Sequence, residues 1–207
     1  MRRAVIAVVV TARIVSLAAA VRYRAGAALV VFGSALAIAA CGGNTPATPN
    51  PPPPPPPPQV RFTPMENPES DAIGLALSSA TAAEFTLTLN ATEVTDLYGY
   101  GVDIVFDPAV IMFESAEPGP FLRGEGVRLN SQIVEQPDGT LVIGQTRVGN
   151  APGVNGSGTL LTLNFTSVAA GSTTLETANA GAFDSSGAAL ETTFFGGTAT
   201  VPAQTAR

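Results

Sequence analysis

The side chains that carry most enzyme chemistry are scarce in this 207-residue chain. It contains one cysteine, Cys41, and no histidine, and every one of its ten basic residues is an arginine. A Ser-His-Asp or Cys-His arrangement therefore has no base, a zinc site has no imidazole or thiolate cluster, and a Schiff-base mechanism has no amine. A single cysteine also forms no intramolecular disulfide, so the folded part must depend on a hydrophobic core.

Carboxylates are the remaining candidates for catalysis and metal binding. Asp103, Asp107, Glu114 and Glu117 lie close together in the sequence, and a glycosidase needs only two carboxyl groups on facing sides of a cleft. However, Asp107 precedes a proline and suits a turn, whereas the other three suit solvated strand faces. No D-x-D-x-D-G calcium loop is present. We therefore predict no catalytic residue, metal ligand or cofactor of its own for this chain.

The charge distribution argues against nucleic acid as a partner. Beyond Cys41, five arginines stand against all sixteen carboxylates of the chain. A strongly acidic body repels phosphate backbones. We therefore expect no nucleic-acid binding.

Cys41 closes an apolar run that is typical of a signal-peptide core. The run AALVVFGSALAIAA has 14 residues, whereas a membrane span needs about 20. Arg22 and Arg24 supply its positive flank. The segment Ile38–Ala39–Ala40–Cys41 resembles the lipobox of bacterial lipoproteins, in which the cysteine sulfur receives a diacylglycerol. A buried structural cysteine and a chance match in a generic signal peptide are the alternatives.

We predict that residues 1–40 are a signal peptide and that translation begins near Val21, which would make residues 1–20 a mis-assigned extension. A transmembrane anchor over residues 4–40 is the competing interpretation, but three arginines interrupt it. Lipid on Cys41 would attach the chain to a membrane, because each buried methylene contributes about 0.8 kcal/mol. Gly42 follows the cysteine where an aspartate marks inner-membrane retention, so the resemblance points to the outer membrane or cell surface.

Residues 41–71 form a predicted linker. They are rich in Gly, Asn, Thr, Pro and Ser and include eight consecutive prolines at 51–58. Such a composition buries too little apolar surface to offset the entropy of ordering. The prolines favour polyproline II, which would hold the next domain roughly 25 Å from the lipid. A ligand for an SH3- or WW-type domain is the alternative function.

Residues 72–202 change to short apolar and β-branched runs separated by Gly, Pro and Asn, and residues 203–207 form a tail. The pattern predicts about nine strands in a two-sheet sandwich or jelly roll. Alternation places three inward triads in its core, namely Phe85, Leu87 and Leu89; Val102, Ile104 and Phe106; and Leu161, Leu163 and Phe165. PDGT at 137–140 predicts a hairpin turn with Asp138 and Gly139 left-handed, and Asp107–Pro108 is predicted to end a strand.

Three segments of this region carry a resemblance. LYGYGVDIVFDPAVIMFESAEPGPFL is similar to the cohesin signature, in which a strand ends in an F/Y-D-P turn and a Gly-containing loop leads to FL. GSGTLLTLNFTSVAAGSTTL and AGAFDSSGAALETTFFGGTATV resemble later cohesin segments in the same order. The resemblance implies a nine-stranded jelly-roll sandwich, related to some carbohydrate-binding modules, that grips the calcium-loaded dockerin module of another protein. Calcium would enter only through that partner.

The same resemblance implies a binding face on the strand before the F-D-P turn. Cohesins commonly present Asn and Asp on its outward side, where this chain has Gly99 and Gly101, followed by Asp103 and Val105. The partner must then differ, or the contact must be flatter and more apolar. Tyr98 and Tyr100 are the aromatic residues that could stack on sugars. For Tyr100 we favour packing at a sheet edge with a solvated hydroxyl.

We therefore expect a non-catalytic, lipid-anchored envelope module that binds a dockerin-like protein, with Tyr98, Tyr100, Asp103 and Val105 as candidate residues of the face. Polysaccharide binding within a surface degradation system is the second hypothesis. A structural role in an envelope or secretion assembly is the third.

Overall fold

The computed structural model describes residue 53 and residues 55–67, 69–124 and 126–203. The predicted signal peptide, Cys41, residues 42–52 of the predicted linker and residues 204–207 of the predicted tail lie outside these residues. Within them every regular element is a β-strand, and no helix has the length and apolarity needed to cross a membrane.

Twelve strands are present in the described ranges, and they form two sheets. In chain order they are β1 (Arg61–Pro64), β2 (Ala72–Ala80), β3 (Glu84–Leu97), β4 (Gly99–Val105), β5 (Ile111–Pro118), β6 (Arg128–Glu135), β7 (Thr140–Val148), β8 (Val154–Ser167), β9 (Gly171–Phe183), β10 (Ala189–Leu190), β11 (Thr193–Phe195) and β12 (Gly197–Val201). The larger sheet has the order β1-β12-β9-β4-β7-β6, with β10 added beside β9, and the smaller has the order β11-β2-β3-β8-β5. The pair β11–β2 is parallel, and the other described pairs are antiparallel.

The predicted all-β sandwich is therefore confirmed, but it has more strands than nine and begins earlier than residue 72. Strand β1 lies within the predicted linker and pairs with β12, from Arg61 opposite Thr200 to Pro64 opposite Gly197. Just before it, Val60 is only 2% exposed, and its amide donates to the Thr81 carbonyl at 2.9 Å. A strand of four residues is too short to show a clear alternation, which is why the sequence pattern missed it.

The core lies between the sheets, and all three predicted triads belong to it. Each of their nine residues is at most 4% exposed. At the centre, the ring of Phe165 stacks on Phe85, with centroids 5.3 Å apart, and meets the edges of Phe106 and Phe113 at 5.5 and 5.8 Å. Phe106 follows β4 and Phe165 lies in β8, so this aromatic cluster joins the two sheets.

Two of the predicted turns form, one of them with a different backbone from that expected. Gln136–Thr140 closes the β6–β7 hairpin, and the Asp138 carboxylate accepts from the Thr140 amide at 3.1 Å. Only Gly139 is left-handed there, with φ of 81°, so Asp138 does not supply the second left-handed position we predicted. After β4, the Asp107 Oδ1 atom accepts from the Ala109 amide at 2.9 Å, as the Asp-Pro turn requires.

The last predicted strand, FFGGTATV, is divided between the sheets. Its first part lies in β11 beside β2, and its second part is β12 beside β9. The chain crosses at Gly196, where a Cβ atom would lie 1.8 Å from the Leu175 carbonyl oxygen. Only glycine fits this close approach.

Candidate functional site

The strand that carries the candidate residues, β4, lies in the middle of the larger sheet, between β9 and β7. Its side chains alternate as predicted. Tyr100, Val102 and Ile104 are buried, whereas Gly101, Asp103 and Val105 are partly or fully exposed. We use the term outer face for the outward residues of β9, β4, β7 and β6.

Strand register arranges the outer face in rows that run across the strands. One row, the glycine row, consists of Gly181, Gly101 and Gly144 on three adjacent strands, with Gln132 beyond them on β6. The next row toward the start of β4 contains Phe183, Gly99, Thr146 and Asn130. The row on the other side contains Ala178, Asp103, Val142 and Val134. The three glycines therefore leave a floor without side chains between two rows in which every residue except Gly99 carries one.

Gly101 and Gly144 of this floor, together with Gly99, line a depression of about 630 Å³ on the outer face. The depression is bordered by Phe183 and the following loop of residues 184–187, and on the β6 side by Asn130 and Gln132. The Phe183 ring leans over the end of the glycine row, because its Cζ atom is 3.6 Å from the place a Cβ of Gly181 would occupy. The site is thus a concave surface with an aromatic wall.

The fold itself does not require two of the glycines. A Cβ at Gly144 would meet no atom within 4 Å, and one at Gly101 would meet only the Ile143 carbonyl oxygen at 3.7 Å. By contrast, a Cβ at Gly99 would lie 2.9 Å from Thr146 Oγ1. Gly99 is explained by packing, whereas Gly101 and Gly144 leave space that opens to the surface.

Exposed apolar side chains concentrate on the outer face. Among the described residues, eight large apolar side chains are more than one-third exposed, and four of them lie on these strands. They are Val105 (37%), Val134 (44%), Phe183 (45%) and Val148 (47%). Of the four, Phe183 borders the depression, and exposed apolar groups beside a concave surface are typical of a site that binds another molecule.

Acidic groups border the same face. Asp103 accepts a hydrogen bond from Asn179 Nδ2 at 2.7 Å through Oδ2, and Glu176 lies in the next row opposite Val105. Asn179 has a φ of 46° and forms a bulge in β9. Near the depression, the Ser186 hydroxyl and the Ala188 amide donate to Asp184 and lower the pKa of that carboxyl below its usual range. The hydrogen bonds to Asp184 favour the ionised form of that carboxyl beside the depression.

Residues 73–201, most of the sandwich, match the sequence model of the Cohesin domain family. The chain belongs to the cohesin family. Cohesin domains are non-catalytic interaction modules. A search of curated proteins found no match.

Solved cohesin structures show the same fold at low sequence identity. The second type II cohesin module of the adaptor ScaA scaffoldin of Acetivibrio cellulolyticus is 17% identical, with a TM-score of 0.55 over 69% of this chain and 95% of that one. A type II cohesin from Bacteroides cellulosolvens is 14% identical, with a TM-score of 0.54 over 64% and 99%. The sixth cohesin of scaffoldin B from A. cellulolyticus, solved in complex with the Cel5 dockerin, is 13% identical, with a TM-score of 0.53 over 62% and 96%.

Within this cohesin, the predicted candidate residues separate into two groups. Asp103 and Val105 lie on the outer face, and half-buried Tyr98 lines the depression and donates to the Gly149 carbonyl at 2.7 Å. Tyr100 does not belong with them. It is 4% exposed in a central strand, and its hydroxyl donates to Gln145 Oε1 at 2.9 Å, so our prediction of an edge position with a solvated hydroxyl is wrong. Burial also raises the pKa of Tyr100.

The candidate carboxylates are not assembled into one site. Asp103 lies in the larger sheet, whereas Glu114 and Glu117 lie on β5 in the smaller one. Glu114 accepts from the Thr166 hydroxyl at 2.9 Å, and Asp107 accepts within its own turn. Among the residues that the structure describes, no three His, Cys, Asp or Glu side chains are grouped as a metal site.

Sequence reasoning missed the residues that give the face its shape. They are Phe183, Gly144, Thr146, Asn130 and Gln132, which line the depression, and Gly181, which lies beside Gly101. Alternation in TLVIGQTRV does place Gly144 and Thr146 on the side opposite to Ile143. What the pattern does not contain is the order of strands, which alone brings β9 and β7 to either side of β4.

Proposed function

We propose that this cohesin is a lipid-anchored envelope module that presents its outer face to a dockerin-bearing protein. The observation that carries the proposal is the outer face itself, which combines a depression walled by exposed Phe183 with three exposed valines elsewhere on the same strands, Val105, Val134 and Val148. A similar fold, the sixth cohesin of A. cellulolyticus scaffoldin B, was solved bound to a dockerin. We extend that kind of partner to this chain.

The chemistry of the face favours a protein over a polysaccharide. Polysaccharide platforms depend on exposed aromatic rings, and the depression offers one exposed ring, Phe183, and half-buried Tyr98. Valines supply the other apolar area, and aliphatic groups surrounded by polar ones are common at protein interfaces. Glycan binding is therefore the alternative that the binding test must distinguish from protein binding.

Anchoring rests on the sequence around Cys41. An acylated Cys41 would fix the chain in the membrane, and the proline segment would hold the outer face away from it. Gly42 favours the outer membrane as the location. Such an arrangement would keep a bound partner at the cell envelope.

The partner is tested with the chain from Gly42 onward, which retains every described core residue. Dockerin-bearing proteins from the same genome are titrated against it with calcium and with chelator, and soluble glycans are tested in affinity gels. We expect calcium-dependent binding of at least one dockerin-bearing protein. Glycan retardation without protein binding would replace this proposal by the polysaccharide hypothesis.

Two matched variants locate the contact. Val134→Arg puts a charge on the outer face, and Met112→Arg puts the same charge on β5 of the smaller sheet, where Met112 is 47% exposed. We expect Val134→Arg to weaken binding at least tenfold and Met112→Arg to change it less than twofold. The reverse pattern would assign binding to the smaller sheet.

Lipid attachment is tested separately in cells by palmitate labelling of the full chain. We expect label on the wild-type protein and none on Cys41→Ser. Equal labelling of the two proteins, or no label on the wild type, would refute the anchor and leave the binding proposal intact.

A further inference from the structure

We infer that the depression on the outer face receives one large apolar side chain of the partner, with a basic side chain of the same partner beside it at Asp103. The inference rests on the proposed function, because it names the chemistry of the partner at that face. It commits to a protein surface in which an apolar residue and a Lys or Arg lie about 7 Å apart.

The dimensions of the glycine row suit a single large side chain. Gly101 and Gly144 form the open part of the row on two adjacent strands about 5 Å apart, and the Phe183 ring covers the third glycine, Gly181. The rows on either side are two residues away along the strands, about 7 Å, and apart from Gly99 their residues carry side chains. An aromatic or large aliphatic group placed on this floor would be bordered by Phe183 on one side and Val142 on the other.

The space is present although the fold does not require it. Gly101 and Gly144 have no left-handed φ, and their missing Cβ atoms would clash with nothing. Ordinary strand residues at these positions would stabilise the sheet, because glycine weakens a strand interior. Filling the space would therefore remove the depression while leaving the sandwich intact.

Charge adds the second requirement on the partner. Asp103 is two residues from Gly101 on β4, and Glu176 lies one row farther along the same direction. A carboxylate has about four acceptor sites, and Asp103 uses one for Asn179. Arg128 lies on the other side of the glycine row, opposite Val148. The acidic side thus attracts a cation of the partner next to the partner's apolar group. The two contact positions, at Gly101 and Asp103, are about 7 Å apart, which is comparable to one helical turn of 5.4 Å.

The floor is tested with the dockerin-bearing protein that the wild-type chain binds. Gly144→Leu fills the depression, and Thr162→Leu, an outward residue of β8 in the smaller sheet, is its control. We expect Gly144→Leu to weaken binding at least tenfold with a melting temperature no lower than that of wild type, Gly144→Ala to weaken it a few-fold, and Thr162→Leu to have no effect. Shortening the large apolar residue of the partner to Ala should recover part of the loss in Gly144→Leu.

The charge is tested through association rates at two salt concentrations. We expect Asp103→Asn to slow association several-fold at low salt and to have little effect at high salt, whereas Glu117→Gln on β5 changes neither. Equal rates for Asp103→Asn and wild type at low salt would overturn the basic contact.

The outcomes separate the two proposals. Wild type that binds no dockerin-bearing protein refutes the proposed function and this inference together. If Gly144→Leu binds a dockerin-bearing protein as tightly as the wild-type chain does, the inference alone is refuted. If the wild-type chain dimerises in sedimentation and Gly144→Leu does not, a second copy fills the depression and the inference is wrong.

Discussion

The Tyr100 hydroxyl on β4 donates to Gln145 Oε1 on β7 at 2.9 Å, inside the core and directly across the two strands. Gln145 Nε2 in turn donates to Ser131 Oγ on β6 at 3.0 Å. Three strands of the larger sheet are therefore joined below the outer face by a buried polar chain, in which the hydroxyl and both polar atoms of the amide have a partner. A buried network of this kind stabilises only while each member is satisfied.

Tyr100 should make stability fall at alkaline pH. Burial raises its pKa in the folded chain, so above about pH 10 the unfolded chain loses a proton that the folded chain keeps. The stability contribution is complete below that pH, and each further unit removes up to about 1.4 kcal/mol. The chain has no lysine, and from Gly42 onward it has no cysteine, so few other groups titrate there.

The measurement is urea unfolding between pH 8 and 11 for wild type, Tyr100→Phe and Tyr98→Phe. Tyr100→Phe should cost about 1–3 kcal/mol at pH 8, because Gln145 Oε1 loses its donor, and should show a shallower alkaline decline. Tyr98→Phe, whose hydroxyl lies at the surface, should keep the wild-type decline. Parallel declines for all three proteins would show that Tyr100 is not the responsible group.

Gly196 and Gly144 should respond in opposite ways to the same added methyl group. A Cβ at Gly196 would lie 1.8 Å from the Leu175 carbonyl oxygen, at the point where the chain changes sheets. Gly196→Ala should therefore cost about 3 kcal/mol or more, since the backbone must shift. Gly144→Ala meets no neighbour and should stabilise by up to about 1 kcal/mol. Melting temperatures of the two variants test this, and equal losses would contradict it.

The sequence was most informative where strands are long and alternate clearly. Strands β3, β4 and β8 each contain a stretch with apolar residues at every second position, and the three triads predicted from these stretches are all buried. Strands β1, β10 and β11 have two to four residues, too few for a period to be visible. Local turn chemistry at Asp107 and Gly139 was also readable, because it depends only on neighbouring residues.

The shape of the outer face was not readable in the same way. Its glycine row joins residues 101, 144 and 181, which come together only through the order β9-β4-β7. Pairing between strands distant in sequence leaves no mark on the composition of either strand. For Tyr100, alternation with Val102 and Ile104 did indicate an inward position, and the missing fact was that β4 is central in its sheet.

Asp96 should stabilise the contact between two loops near the depression by accepting hydrogen bonds from both. It is left-handed, with φ of 54°, and its carboxylate accepts from the Gly153 amide at 3.0 Å and from the Ser185 hydroxyl at 2.8 Å. Asn tolerates the same backbone, but its single amide oxygen can replace only one carboxylate oxygen. Asp96→Asn should cost about 1–2 kcal/mol in urea unfolding and speed hydrogen exchange at Gly153.

The control for the loop contacts of Asp96 is Asp71→Asn. Asp71 is also left-handed, with φ of 48°, but it is exposed. Asp71→Asn makes the same change of charge and backbone preference but removes no contact between loops. We therefore expect the free energy of unfolding to fall by less than about 0.5 kcal/mol. A similar loss at both positions would mean that the loop contacts of Asp96 contribute nothing.

Replacing Phe165 should mainly lower stability, whereas replacing Phe183 should mainly weaken partner binding. Phe165 is 1% exposed and contacts three aromatic rings, so Phe165→Ala should cost about 3–5 kcal/mol. Phe183 is 45% exposed and forms the wall of the depression, so Phe183→Ala should cost less than about 1 kcal/mol but weaken partner binding at least tenfold. Urea unfolding and calorimetric titration with the bound dockerin protein measure the two effects. Because a single exposed ring carries this prediction, full binding by a stable Phe183→Ala protein would exclude the depression as the centre of the contact.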